Sequence, residues 1–348
     1  QGNNEAQQRG NLSITTDGGR TTNTLTIEGG TTAAKVTLHN VNIDASGAAV
    51  SVSGDVELII SGTNTLQSGW GHAGVEKADD NGTLTISGSG TLNAYGGESG
   101  AGIGSGSQKG CSNIEIESGI INAHGGQWGA GIGSGNVGNR PGVLGGSYIT
   151  INGGDVTAYG GSEAAGIGGG FKGNGKDITI NGGTVHAESG GGKGPVAAIG
   201  GGRVNGVGKN IRITGGNVTV KSGTGVWIGG TNGEIGKDSL TGTVTYLNGS
   251  GNVVDEIVQD FDIIINGQSV NSKNYNNILG GTLCYDIEEK TLKLKEGQFI
   301  NGALIIKAPE DVSIDLEADA SHVVNGDLTV NGAKDVKVTK PGGNAAAA

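Results

Sequence analysis

Between Thr83 and Gly230 apolar and polar residues alternate in short runs, and clusters of glycine separate the runs. Three runs recur in a fixed order. In the first, Ile178 and Ile180 face one way and Thr179 the other. In the second, Val185 and Ala187 oppose His186 and Glu188, and in the third, Ala165 and Ile167 oppose Gly166 and Gly168. A period of two is the mark of strands rather than helices. Asn152-Gly153-Gly154 and Asn181-Gly182-Gly183, between runs one and two, supply the positive-φ corners that a sharp bend requires.

The three-run unit repeats. It reads TLTISGSGTLNAYGGESGAGIGSG from Thr83, IEIESGIINAHGGQWGAGIGSG from Ile114 and ITINGGDVTAYGGSEAAGIGGG from Ile149. Further copies start at Ile178 and Ile211, and looser ones precede Thr83, as KVTLHNVNIDASGAAVSVSG and DVELIISGTNTLQSGWGHAG. The equivalent third-run residue is Val75, Ile103, Ile132, Ile167, Ile199 and Ile228, at intervals of roughly thirty residues. One such coil cannot bury its apolar face. Stacking coils about 4.8 Å apart sets isoleucine over isoleucine and pairs every strand with its neighbours. The expected fold is all-β: a right-handed parallel β-helix with three short strands per coil.

After about Ile257 glycine thins and the alternating stretches lengthen. From Gly302, LIIKA, DVSIDL, DLTV and DVKVT each begin again after a polar turn, like the opening coils of a second helix. The expected organisation is a glycine-rich β-helix over 1–258, then a connector and the opening coils of a second β module over 259–344. Residues 345–348, four alanines, read as an appended scar outside the fold.

Composition removes several alternatives. The 74 glycines among 348 residues, with 3 Trp, 3 Phe and 6 Tyr, exclude a core of large side chains. The period excludes a disordered tract, and 4 Pro without a third-position glycine exclude collagen. A net charge of -11 argues against nucleic acid or an anionic membrane as partner, and no apolar stretch is long enough to insert as a spanning helix. Cys111 and Cys284 form neither a metal-binding pair nor a disulfide framework. A start at Gln1 is expected to follow removal of a leader.

The motifs LIISGTNTL, LTISGSGTLNA, GAGIGSG, YITINGGDVTAYGG and AAGIGGG resemble those of the glycine-rich carbohydrate-binding β-helix domains of surface proteins from anaerobic gut and cellulolytic bacteria. IIINGQSVNSKNYNNILGG and YDIEEKTLKLKEG are similar to the connector before further modules in such proteins, so the resemblance spans about residues 24–340. It implies a secreted or wall-displayed, noncatalytic protein that binds polysaccharide, such as a host or plant glycan, with calcium as a candidate cofactor. No calcium-ligand motif of that family is matched, and none of its functional residues is carried over.

The outward positions of the second run line up as Tyr95, His124, Tyr159, Glu188, Lys221 and, beside them, Asn93, Asn122, Thr157, His186, Thr219. Flat rings and amides at strand spacing suit the apolar faces and hydroxyl edges of sugars. Trp70 and Trp128 follow this run in the glycine loop and are expected to flank it. The competing reading is that these side chains only cover the sheet. Third-run outward positions are glycines (Gly102 and Gly104, Gly131 and Gly133, Gly166 and Gly168, Gly200 and Gly202), either a bare face that seats a polymer, a partner or the chain's own returning loop, or a tight bend. Asp79 and Asp80, with Asn81, form an oxygen-rich turn of the kind calcium takes, and Asp255, Glu256, Asp260 and Asp262 a second acidic group. Glu115 and Glu117 share a strand face at a separation near that of an inverting glycosidase, but on a flat exterior rather than in a cleft. The functions in play are therefore an adhesive or polysaccharide-binding module, a structural stalk without a ligand, and, third, a polysaccharide lyase or glycosidase.

Overall fold

The computed structural model describes residues 12–16, 19–30, 32–77, 81–139, 145–192, 194–224, 226–230, 240, 242–257, 260–271, 278–286, 289–295, 300–316, 324–338 and 345–347. They divide into two compact units, 1–257 and 258–348. No helix among them is long and apolar enough to cross a membrane.

The first unit is a right-handed parallel β-helix of three sheets with eight, nine and eight strands. The first run of each coil joins sheet one, with strands such as Leu84–Gly88, Ile114–Ile116, Gly145–Ile151, Asn174–Ile180 and Gly208–Ile213. The second run joins sheet two, with Thr91–Tyr95, Ile120–His124, Asp155–Tyr159, Thr184–Glu188 and Asn217–Ser222. The third supplies two-residue strands to sheet three: Ile103–Gly104, Ile132–Gly133, Ile167–Gly168 and Ile199–Gly200.

Pairing is in register, so equivalent residues stack. Leu84, Ile114, Ile149, Ile178 and Ile211 form one column. Val75, Ile103, Ile132, Ile167, Ile199 and Ile228 form another. Leu66, Ala94, Ala123, Ala158, Ala187 and Val220 form a third, narrower one. Most of these side chains are fully buried. Burying an isoleucine contributes about 1.5–3 kcal/mol, and the columns repeat that gain in every coil. At one end Trp227 stands edge-on to Tyr246, 5.9 Å between centroids, and its indole N–H donates to the Leu247 carbonyl at 2.7 Å.

Of the alternatives for the third-run glycines, the structure shows the tight bend and the chain's own returning segment, not a face open to a polymer. Gly104, Gly133, Gly168 and Gly200 are buried with φ between +125° and +139°. A Cβ on Gly133 would stand 2.0 Å from the Gly168 carbonyl oxygen of the next coil. The segment returning to run one closes over them: a Cβ on Gly175 would lie 2.2 Å from the Gly200 oxygen. Both the bend and the chain's own return therefore demand glycine, and no polymer reaches this backbone.

The second unit opens with hairpin strands, Asp260–Ile265 with Gln268–Asn271 and Leu283–Asp286 with Thr291–Leu294. Parallel pairings follow: Ile300 with Val324, Leu304 with Leu328 and Ile314 with Val336, one in each of three small sheets. Its own core includes Ile263, Leu283, Leu292, Leu304, Ile314 and Leu328. The alanine tail, which the sequence reading sets outside the fold, contributes Ala345–Ala347 as a strand beside Leu328–Gly332. Main-chain pairing needs no particular side chain, so composition alone does not exclude it.

Gly133→Ala is expected to destabilise the first unit by at least about 2 kcal/mol, since it adds both a forbidden dihedral and a backbone clash. Gly30→Ala, where a Cβ meets nothing within 4 Å, should stay within about 0.5 kcal/mol of wild type. Urea unfolding of the two variants side by side makes the comparison.

Candidate functional site on the second sheet

The outward residues of sheet two stack as the alternation predicts. Tyr95 pairs in register with His124, His124 with Tyr159, Tyr159 with Glu188, and Glu188 with Lys221. The Tyr95 and His124 rings lie 4.8 Å apart at 15°, and His124 and Tyr159 lie 4.8 Å apart at 21°. These are stacked geometries set by the strand spacing. Each ring turns its faces towards its neighbours up and down the stack and an edge towards solvent. Expected to offer flat faces to a sugar, the column instead offers phenol and imidazole edges, because in-register pairing consumes the faces.

Beyond Tyr159 the pattern changes. His186, in the adjacent column, is tilted at 59° to the Tyr159 ring with centroids 6.0 Å apart. Its Nε2 lies 3.5 Å from Glu188 Oε2, and Lys221 Nζ donates to Glu188 Oε1 at 2.8 Å. Asn122 Nδ2 donates to Asn93 Oδ1 at 2.9 Å, so the predicted amide column is internally bonded. Burial between two phenol rings holds the His124 imidazole below its ordinary pKa of 6.5.

The glycine loop after this run is itself a stack of tight turns. Within them His72 N–H donates to Gly69 O, Gly100 to Gly97, Gly129 to Gly126, and Ala164 to Gly161. From coil to coil, Gly97 N–H donates to His72 O, Gly126 to Gly100 and Gly161 to Gly129. Trp70 is the second residue of its turn and Trp128 the third of its own, two coils further on. They therefore share no column. Trp70 is 67% exposed and Trp128 half-buried.

The other sequence candidates separate. Asp79 and Asp80 lie outside the described residues. The carbonyl of Asn81, the third residue of that turn, accepts a hydrogen bond from Lys77 Nζ at 2.8 Å. Among the described residues no group of three His, Cys, Asp or Glu could hold a metal. Of Glu115 and Glu117, the latter is taken up by a side-chain ladder. Glu117 Oε1 accepts from Asn152 Nδ2 at 2.7 Å, Asn152 Oδ1 from Asn181 Nδ2 at 2.8 Å, and Asn181 Oδ1 from the Thr214 hydroxyl at 2.8 Å. The carboxylate ends a ladder along the corner between runs one and two.

Sequence reasoning missed a charged cluster around Glu76. This residue sits in register with Gly104 yet is only 5% exposed. Its Oε2 meets His72 Nδ1 at 2.9 Å and the Ala73 N–H at 3.1 Å, and its Oε1 accepts from Lys109 Nζ at 3.0 Å. The signal was available: a glutamate stands where every later coil has glycine.

Four stretches, residues 84–107, 114–136, 149–171 and 178–203, match the family model described as "Beta helix repeat". They are the coils whose second and third runs build the aromatic column and the glycine bend. No curated protein and no solved structure matches the chain.

Since His124 binds its proton less readily folded than unfolded, its contribution costs nothing above pH 6.5. Stability should fall as pH drops through 6.5 towards the depressed folded value, because the unfolded chain takes up the proton first. Proton NMR titration of the ring should give a midpoint below 6.5. In His124→Phe, which keeps a ring in the stack, that part of the pH dependence of unfolding should vanish.

Proposed function

We propose that this chain is a noncatalytic, extracellular module of a larger bacterial cell-surface protein, and that it binds or adheres to polysaccharide through the outer face of its second sheet. The observation that carries this reading is the row of ring edges of Tyr95, His124 and Tyr159, 4.8 Å apart, with the amides of Asn93 and Asn122 beside them on an in-register parallel sheet. A flat, regular array of hydrogen-bonding edges meets an extended polymer at several residues at once, and each weak contact adds to the next. The net charge of -11 favours an uncharged polymer over a polyanion.

A noncatalytic role is supported by the use to which Glu117 is put. Its carboxylate is engaged by Asn152 in a structural ladder, not left facing a water-filled gap opposite a second acid. The stalk reading draws on the same kind of observation, since the ladder through Asn152, Asn181 and Thr214 satisfies outward groups without any ligand. Calcium remains a proposal for the turn at Asp79 and Asp80.

The double variant Tyr95→Phe/Tyr159→Phe keeps both rings and removes both phenol hydroxyls. Two hydrogen bonds of about 1 kcal/mol each correspond to a loss of roughly 30-fold in affinity for any retained glycan. Retention on a glycan array, with and without a calcium chelator, measures it. Undiminished binding by the double variant would remove the second sheet as the site, and silence of the wild type on every glycan would leave the stalk.

A further inference from the structure

Four successive strands of sheet one have a residue in the left-handed region just before their first inward isoleucine. These residues occupy equivalent places in successive coils, immediately before Ile114, Ile149, Ile178 and Ile211. They are Asn113 (φ 59°), Tyr148 (φ 52°), Asp177 (φ 52°) and Asn210 (φ 54°). Asparagine and aspartate tolerate this conformation because their short polar side chains bond locally, and a bulky aromatic does not. Asp177 and Asn210 do bond locally, Asn210 Nδ2 to Asp177 Oδ1 at 2.8 Å. Tyr148 is the exception in its column.

Nothing among the described residues accounts for it. Tyr148 is 58% exposed, and among the described residues its side chain makes no hydrogen bond, ion pair or ring contact. Its ring stacks on no other ring among the described residues, unlike those of Tyr95, His124 and Tyr159, which are stacked on one another. A strained backbone that holds an unpartnered aromatic ring in solvent is the signature of a ligand contact rather than of packing. One coil further on stands the Asp177 carboxylate, and Thr150 and Thr179 occupy paired outward positions of sheet one. A ring face beside a carboxylate and hydroxyls is what a hexose recognises: the ring meets its apolar C–H face and the oxygens accept from its hydroxyls.

We infer that Tyr148 is a ring-stacking subsite for a neutral hexopyranose unit, on sheet one rather than on the sheet-two face. The inference rests on the polysaccharide-binding reading above and adds to it a second contact point and a ligand class. The chain's charge of -11 disfavours uronate polymers, although Lys176, Lys209 and Arg212 stand on the same sheet.

Because the strain and the ring belong to one residue, stability and binding should move in opposite directions. Tyr148→Asn, the residue type of its column, is expected to raise the unfolding midpoint by about 2–4 °C. The same variant should reduce retention on neutral hexose polymers roughly five- to tenfold. Tyr148→Phe should keep retention within about twofold, since the ring face is preserved. Polygalacturonate serves as the acidic comparison. If Tyr148→Asn binds as wild type does, the subsite is overturned while the wider reading stands on the behaviour of Tyr95→Phe/Tyr159→Phe. Wild-type binding confined to polygalacturonate overturns the ligand class, and a wild type that binds no glycan overturns both readings.

Discussion

In-register parallel pairing is the constraint from which the first unit follows. Each coil lies one strand spacing above the last, so every side chain meets its own counterpart and little else. Inside, this favours one branched apolar residue repeated, as Ile103, Ile132, Ile167 and Ile199 are. Where the backbone of one coil closes on that of the next, it demands glycine in successive coils, as at Gly104, Gly133, Gly168 and Gly200. Outside, it builds ladders: Asn152 on Asn181, Asn93 on Asn122, Tyr95 on His124 on Tyr159.

The same constraint limits what the ladders can do. Aromatic rings that repeat at strand spacing stack on one another before they stack on anything else. A column of rings is therefore a poorer platform for a sugar face than a single ring whose neighbours are small and polar. What it gains is a fixed line of edges whose spacing the backbone holds rigidly. His124 shows the cost, since its place between two phenols disfavours the imidazolium. On this sheet the useful chemistry is hydrogen bonding at the rim of the stack.

Much of this was legible in the sequence because the period-two alternation and the recurrence of isoleucine are direct images of the pairing. The columns Tyr95–His124–Tyr159 and Asn93–Asn122 followed from the register alone. What was not legible lay between the runs. The segments around Gly145–Ser147 and Asn174–Lys176 show no apolar alternation, yet they extend sheet one and cover the glycine bend. The chain's own return, one of several occupants the glycines allowed, makes this face an interior. Ring orientation was also hidden, because spacing fixes where a side chain starts and not which way its plane turns. Lys77 is a similar case: it takes the inward position of Val52 and is only 1% exposed, and its ammonium reaches the Asn81 carbonyl.

In a repeat of this kind, conformity and departure carry different information. A residue that matches its column is explained by stacking, whatever its chemical type. A residue that breaks its column must be explained by something local. Glu76, in place of glycine, is accounted for by His72, Lys109 and the Ala73 N–H, which together compensate its burial. Trp227, at the end of the third-run column, is accounted for by Tyr246 and the Leu247 carbonyl. Tyr148 has no such account among the described residues, and its backbone strain runs against the local preference. By that reasoning the positions to examine first on any stacked β-helix are not the ladders, which the pairing itself maintains, but the exposed side chains that interrupt them.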